Sequence, residues 1–450
     1  MCERRFGVPP PRSASVYNYY REVSNGKFLP RFHLVEKWLT SEHSMSYYGS
    51  DYDQPACGSD LIDSANACTV DLVREVVAQA EGQNTPFQAY AHNNKLHLIL
   101  IHAGENQAKS SILHGNRQSL LHTKWQFLET PIKLRDGTEI QSYVLVSEED
   151  GIAAISHEIG HELGLPELYD PDQSSDGIGI WGLMSLQTDL DNPVGMSAWS
   201  RSFLGWQPTV VVNRSGNYEI TPETIFKVPI TDSEYFLLEN RQQTGFDSEL
   251  PGSGVLIWHV DESVQNKQNP LFLNSDETHR FLDLEEAHDL SQDLDVGNDA
   301  NLANQLNYGE EEDAWYFEPQ IMKCKGLADL RIFPRCHQSD FTPYSNPNSN
   351  SNSGAVTNIS IMVQSEPGRV MNVAIIIPEN QPATQYVIPD IPEPVKNTDS
   401  KAPTTNALLM TPSNFLESRK SPLSTYSMAF VIFMIDLVLF VAVTSRKGGG

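Results

Sequence analysis

Basic residues are scarce in this chain. Lys and Arg number 31 against 58 Asp and Glu in 450 residues, which leaves a formal net charge of −27 at pH 7. Because phosphate contacts need a basic surface, this balance argues against nucleic-acid binding. An acidic surface that repels its own copies suits a soluble, exported or salt-exposed protein instead.

Cysteine is also rare. The five cysteines are too few for a disulfide scaffold, and their spacing is not that of a zinc ribbon. Cys57 and Cys68 are close in sequence, as are Cys324 and Cys336, so each pair could close a small disulfide loop. Such pairing would agree with an oxidising compartment, and it leaves Cys2 unpaired.

Long apolar runs are nearly absent. Residues 1–12 are polar and Pro-rich, without the apolar core of a signal peptide. Residues 379–425 are rich in Pro, Ser, Thr and Asn and cannot bury a core, so we expect a flexible stalk there. The stalk is followed by the one long apolar run, residues 428–443, which is interrupted by Asp436.

We interpret this run as a C-terminal hydrophobic helix over residues 427–444. As a single-pass transmembrane anchor it would keep the rest of the protein extracellular or at the cell surface. The run is slightly short for a spanning helix, and a mid-bilayer Asp436 is costly. A buried segment and a cleaved anchor signal therefore remain alternatives, and basic pairs on both sides leave the orientation open.

The most informative segment begins at His157. His157, Glu158 and His161 form the pattern His-Glu-x-x-His. On a helix, positions four apart share a face, so both imidazoles can bind one metal ion. Zinc accepts imidazole nitrogen readily, and a catalytic zinc site has three protein ligands and an open water position. Glu158 would stand beside that water as its proton acceptor.

The residues after His161 extend the pattern. Gly164 follows three positions later and Glu167 three after that, which resembles the long zinc signature of the metzincins with Glu in place of their third histidine. Glycine lets the chain turn back towards the metal, so we predict Glu167 as the third ligand. Asp170 is the alternative, and we expect Glu162 to be an exposed helix carboxylate.

The flanks of the motif predict a helix of about four turns. Residues 147–150 resemble a capping box, and apolar residues then recur at spacings of three and four. Gly164 followed by Pro166 is a stop signal.

A methionine follows the zinc motif at a short distance. Met184 ends a glycine-rich segment, residues 176–184. Metzincins carry a methionine turn beneath the metal, and Met184 is well placed for this role. An ordinary core methionine is the alternative, which the flanking glycines make less attractive.

Beyond the zinc motif, the chain resembles the secreted metallopeptidases of the immune inhibitor A family over roughly residues 15–375. This resemblance implies a zinc-dependent peptidase that acts on protein or peptide substrates. The segments that carry the resemblance are residues 15–27, 98–105, 197–206, 235–241, 251–261 and 283–287.

The fold expected from these patterns is α/β (α+β): a metzincin-like zinc peptidase catalytic domain, residues 15–208, followed by a β-rich part, residues 209–378. A strand over residues 95–101 precedes the predicted helix that carries His157 and His161, which we call the zinc helix. The later part alternates short apolar runs with turn residues, which favours a small sandwich. Its predicted strands are residues 235–238, 255–259, 359–363 and 370–377.

Acidic clusters raise the question of a second metal. Asp170, Asp172 and Asp176 form a candidate calcium cluster, although no EF-hand pattern occurs. The function that all these patterns favour is a zinc endopeptidase with Glu158 as general base. The alternative is a peptidase-like surface protein that binds or adheres without turnover.

Overall fold

The computed structural model describes residues 15–35, 38–49, 68–106, 123–172, 174–187, 189–266, 272–287, 309–318, 338–378 and 436–444. The helices are α1 (Val16–Val23), α2 (Met45–Tyr48), α3 (Thr69–Gly82), α4 (Ile152–Glu162) and α5 (Ala198–Phe203). The first strands are β1 (Arg31–Val35), β2 (Leu39–Thr40), β3 (Lys95–His102), β4 (Lys124–Lys133) and β5 (Glu139–Ser147). The later strands are β6 (Thr209–Val211), β7 (Gly216–Ile220), β8 (Ile225–Pro229), β9 (Glu234–Arg241), β10 (Gly254–Asp261), β11 (Leu282–Glu285), β12 (Asp340–Phe341), β13 (Ser360–Val363), β14 (Met371–Ile376) and β15 (Asp436–Thr444).

The first sheet has the strand order β1-β15-β3-β5-β4, with β2 also paired to β15. Its strands are parallel except for β4, the edge strand, which runs antiparallel to β5. Alternate residues of β3 face opposite sides, as strand geometry requires. Leu98 packs in one core with α3, and Ile99 and Ile101 pack in another with α4. The predicted strand before the zinc helix and the mixed α/β architecture are thus confirmed.

The C-terminal apolar run differs from the helix predicted over residues 427–444. Residues Asp436–Thr444 form a strand between β1 and β3, and residues 427–435 lie outside the described residues. A short apolar run rich in β-branched residues suits a parallel strand with neighbours on both sides. The length of the apolar run alone therefore did not distinguish a hydrophobic helix from a buried strand. None of the helices in the described ranges is long and apolar enough to cross a membrane. The predicted stalk lies outside those ranges.

The later part of the chain is rich in β-structure, as predicted. A five-stranded sheet has the order β11-β10-β9-β8-β6, and a four-stranded sheet has the order β12-β13-β14-β7. All four strands predicted from the sequence lie in these two sheets. Buried side chains of both sheets, such as Phe236 and Ile361, belong to one hydrophobic cluster, which is the arrangement of a sandwich.

A single hydrophobic core also connects the zinc helix with the second sheet. It includes Tyr20 from α1, Ile155 from α4, Trp181 from the loop after α4, and Leu256 and Trp258 from β10. This core therefore extends across the predicted boundary between residues 208 and 209.

One predicted disulfide partner can be located. Cys68, which precedes α3, is fully buried and disulfide-bonded. All other cysteines of the chain, among them Cys57, Cys324 and Cys336, lie outside the described residues, so the partner of Cys68 is not identified. The pairing scheme itself therefore stays a prediction.

Candidate metal centre

The zinc helix begins later than the sequence indicated. The residue before its first turn is Gly151, and no side chain caps it. The helix start predicted at residues 147–150 was wrong: Asp150 accepts a hydrogen bond from the backbone N–H of Ser147 at 2.7 Å, as in a capping box, but the chain becomes helical only after Gly151. The carbonyl of Leu190 accepts from the N–H of Ala153 at 2.9 Å instead. A Cβ at residue 151 would lie 2.0 Å from this carbonyl oxygen, so only glycine fits.

The end of the helix matches the prediction. Gly164 has a φ of +93°, the left-handed conformation that favours glycine, and its N–H donates to the carbonyl of His161. The chain reverses at this point, and it brings Glu167 back over the two histidines.

Three side chains converge beyond this turn. The Nε2 atoms of His157 and His161 lie 3.1 Å apart. The carboxylate of Glu167 spans them, with Oε2 at 3.1 Å from His157 Nε2 and Oε1 at 3.0 Å from His161 Nε2. Their potential ligand atoms all lie within 4.8 Å of one another.

The second nitrogen of each ring fixes its orientation. His157 Nδ1 lies 3.0 Å from the carbonyl oxygen of Leu183, and His161 Nδ1 lies 2.9 Å from that of Leu165. A carbonyl can only accept, so both Nδ1 atoms carry the hydrogen in the metal-binding tautomer, and both Nε2 lone pairs face the centre. Zinc–nitrogen bonds of about 2.1 Å at tetrahedral angles separate two ligand nitrogens by about 3.4 Å, so this donor set fits zinc.

Met184 lies directly beneath the histidine-bearing turn. It is buried, and a Cβ at Gly160 would lie 2.3 Å from its sulfur. The absence of a side chain at Gly160 therefore lets the thioether approach the helix between the two histidines. The N–H of Leu168 donates to the carbonyl of Met184 at 2.8 Å, which joins this turn to the loop that carries Glu167. Met184 thus packs under the helix turn that carries the histidines, and its role as a methionine turn stays a prediction.

Glu158 is buried beside the cluster but is not part of it. Its exposed fraction is 8%. After burial and the Glu167 carboxylate, its negative charge is a further influence on the pKa of His157 and His161, and it raises both. A carboxylate near the metal position and outside the ligand set can exchange a proton with a bound water.

The electrostatics of the cluster favour shared protons in the metal-free protein. Burial lowers the pKa of His157, but the Glu167 carboxylate, the Glu158 charge and the Leu183 carbonyl together outweigh burial and raise this pKa to about 9. Burial likewise opposes a charge on His161, whose pKa the same carboxylate raises. Burial raises the pKa of the Glu167 carboxyl, and the two imidazoles more than reverse this and hold it well below its usual range.

Comparison with known proteins agrees with this geometry. Residues 94–207 match the family described as immune inhibitor A peptidase M6, catalytic domain. The segment that carries the histidine cluster is thus similar to M6 peptidase catalytic domains. Immune inhibitor A of Bacillus thuringiensis subsp. alesti is 26% identical over 215 residues, which cover 42% of this chain. The chain spans 29% of the length of that relative.

The M6 match confirms the resemblance inferred from the motifs, and the family is one of metalloproteases. The matched segment includes every residue of the histidine cluster, together with Glu158 and Met184.

The acidic cluster differs in composition from the predicted calcium site. Asp170 and Asp172 lie close enough to share a metal ion, but their third partner is Glu277, not Asp176. Asp170 accepts hydrogen bonds from the N–H groups of Asp172 and Ser175, at 3.1 Å and 2.9 Å, so it stabilises the loop on which it lies. It belongs to this second group and not to the histidine cluster, in which the structure has Glu167.

Sequence reasoning missed two rings and misjudged one carboxylate. The rings of Trp125 and Tyr169 lie 6.0 Å from His161 and 6.4 Å from His157, respectively. Glu162, expected to be exposed, has a side chain that is only 1% exposed. Aromatic residues flanking the motif could have suggested Tyr169, but no local signal pointed to Trp125, which lies on an edge strand.

Replacing Gly160 tests the packing of Met184 against α4. Gly160→Ala places a methyl group against the Met184 sulfur, so we expect a loss of about 1–3 kcal/mol in unfolding free energy. Gly82→Ala is the matched control, since Gly82 is also helical but a Cβ there meets nothing within 4 Å. Chemical denaturation compares the two variants, and equal stability of both would contradict the close approach.

Zinc binding to the histidine cluster should release protons. A His157 with a pKa of about 9 is protonated at neutral pH, yet it must be neutral to bind metal. Zinc affinity should therefore rise by about tenfold per pH unit between about pH 7 and 9 for each proton released. Calorimetry in buffers of different ionisation enthalpy counts the protons. An affinity that stays constant over this range would contradict the raised pKa.

Proposed function

We propose that this protein is a zinc-dependent endopeptidase that hydrolyses peptide bonds of protein substrates. The observation that carries the proposal is the convergence of His157, His161 and Glu167, with Glu158 buried beside them, in a segment that matches the M6 catalytic domain. When bound, zinc would lower the pKa of a coordinated water and polarise the scissile carbonyl.

The residues of this chain take distinct parts in the reaction. His157 and His161 offer Nε2 to the metal, and their Nδ1–H groups donate to backbone carbonyls so that the rings cannot turn away. Glu167 is the third ligand. Glu158 accepts the proton of the attacking water and returns it to the leaving amine nitrogen.

An extracellular or cell-surface location belongs to the same proposal. The disulfide at Cys68 supports it, because such bonds persist in oxidising compartments. The large excess of acidic residues is in keeping with an exported protein.

Glu158→Gln separates catalysis from metal binding. The amide keeps the shape of the side chain but cannot accept the water proton, so we expect normal zinc content and at least a hundredfold loss of peptidase activity, a magnitude usual for general-base catalysis at roughly 10²–10⁴. Casein cleavage and metal analysis measure both properties. Glu219→Gln, on an exposed position of β7, is the control and should stay fully active.

Near-normal turnover of Glu158→Gln would exclude Glu158 as the general base. The alternative, a catalytically silent binding protein, makes a different prediction. In that case the wild-type protein would bind zinc tightly but cleave neither casein nor a peptide library in any of several buffers.

The third ligand can be tested by a pair of variants. Glu167→Gln removes the carboxylate that spans the two histidines, so we expect zinc affinity to fall by at least tenfold. Asp170→Asn changes a carboxylate of the separate acidic group and should leave zinc affinity unchanged. Chelator competition measures both affinities, and the reverse pattern would assign the ligand to Asp170.

A further inference from the structure

The carboxylate of Glu162 is buried and receives hydrogen bonds from three side chains. His97 Nδ1 lies 2.5 Å from Oε1, and Trp125 Nε1 donates to Oε2 at 2.7 Å. Ser142 Oγ lies 2.6 Å from Oε1 and 2.8 Å from Oε2. With 1% of its side chain exposed, Glu162 is fully enclosed by these partners.

These partners come from three adjacent strands of the first sheet. His97 lies on β3, Ser142 on β5 and Trp125 on the edge strand β4. Glu162 is the last residue of α4 and follows His161 directly. Neighbouring helix positions point about 100° apart, so His161 can face the metal position while Glu162 faces the sheet.

Trp125 connects this hydrogen-bonded group with the metal centre. Its indole ring lies 6.0 Å from the His161 ring at an interplanar angle of 32°, while its N–H is held by Glu162. The His161 ring is fixed at Nδ1 by the Leu165 carbonyl. The indole supplies a second contact, against the ring itself, and the orientation of the indole depends on Glu162.

We propose that Glu162 is a positioning residue of the metal centre, which holds the Trp125 indole against His161 and so keeps this ligand in its binding orientation. The proposal rests on the zinc site proposed above. Partners of this kind affect metal affinity as well as stability, because a ligand that must be oriented on binding binds more weakly.

Two measurements on the full chain test the proposal. Chelator competition gives the zinc affinity, and the visible spectrum of the cobalt-substituted protein reports the geometry of the metal site. Glu162→Ala should weaken zinc binding by about 10–100-fold and alter the cobalt spectrum. Glu162→Gln keeps an oxygen that can accept from the Trp125 N–H, so its affinity should stay within about threefold of wild type.

Trp125→Phe tests the same connection from the other side. It removes the N–H donor and leaves Glu162 bound to His97 and Ser142, so the variant should fold and bind zinc about tenfold more weakly. It also serves if Glu162→Ala does not fold. Trp38→Phe, at a half-exposed position, is its control.

Glu75→Ala distinguishes positioning from simple stabilisation. Glu75 also accepts several hydrogen bonds, from the Tyr48 hydroxyl, the Glu42 N–H and the Gln79 amide, but it lies on α3 across the sheet from α4. Its loss should lower the melting temperature and leave zinc affinity unchanged.

Two outcomes would overturn the proposal in different ways. If Glu162→Ala or Trp125→Phe folds with unchanged zinc affinity and cobalt spectrum, Glu162 only stabilises the fold and the proposed function stands. If the wild-type protein binds neither zinc nor cobalt, the proposed function fails and this assignment fails with it.

Discussion

The structure of the site depends on one carboxylate held between two imidazoles. Glu167 neutralises charge that His157 and His161 could not otherwise carry, because an unpaired buried ion costs several kcal/mol. The carboxylate therefore holds the two imidazoles together by ion pairing. This arrangement needs the chain reversal at Gly164, without which residue 167 would continue away from the helix. Metal binding then exchanges protons for a cation within a site that is already assembled.

Distant parts of the chain hold this site in place. The hydroxyl of Tyr20 in α1 donates to the carbonyl of Ser156, the residue before the first histidine, at 2.6 Å. From the second sheet, the Arg241 guanidinium donates to the carbonyls of Trp181 and Met196, on either side of the methionine turn. Neither Tyr20 nor Arg241 lies within residues 94–207, which match the M6 catalytic domain. The structural unit that supports the metal centre is thus larger than the matched segment.

Sequence patterns predicted correctly those features that depend only on residues close together in the chain. The spacing of His157 and His161 and the glycine turn before Glu167 place ligands within eleven residues, so helix periodicity and one backbone conformation were enough. The same holds for the strands of the later sheets, which the sequence marks as short apolar runs bounded by turn residues, and of which β9 and β10 are buried on both faces. Where the answer depended on a partner from elsewhere, the sequence was insufficient: the first turn of the zinc helix starts against the Leu190 carbonyl, and Asp436–Thr444 became a strand by pairing with β1 and β3.

Glu162 and Glu167 illustrate the same distinction within one motif. Both are acidic residues within six positions of His161, and each contacts histidine, although Glu162 is buried and Glu167 is partly exposed. Glu162 still belongs to the helix and faces the sheet, where side chains from three strands donate hydrogen bonds to it. Glu167 follows the chain reversal at Gly164 and faces the two histidine rings. Residue type alone cannot separate the two positions. What separates them is whether the residue precedes or follows the end of the helix. The zinc pattern therefore predicts the metal ligands, and the tertiary fold determines which nearby carboxylate faces the histidine rings and which faces the sheet.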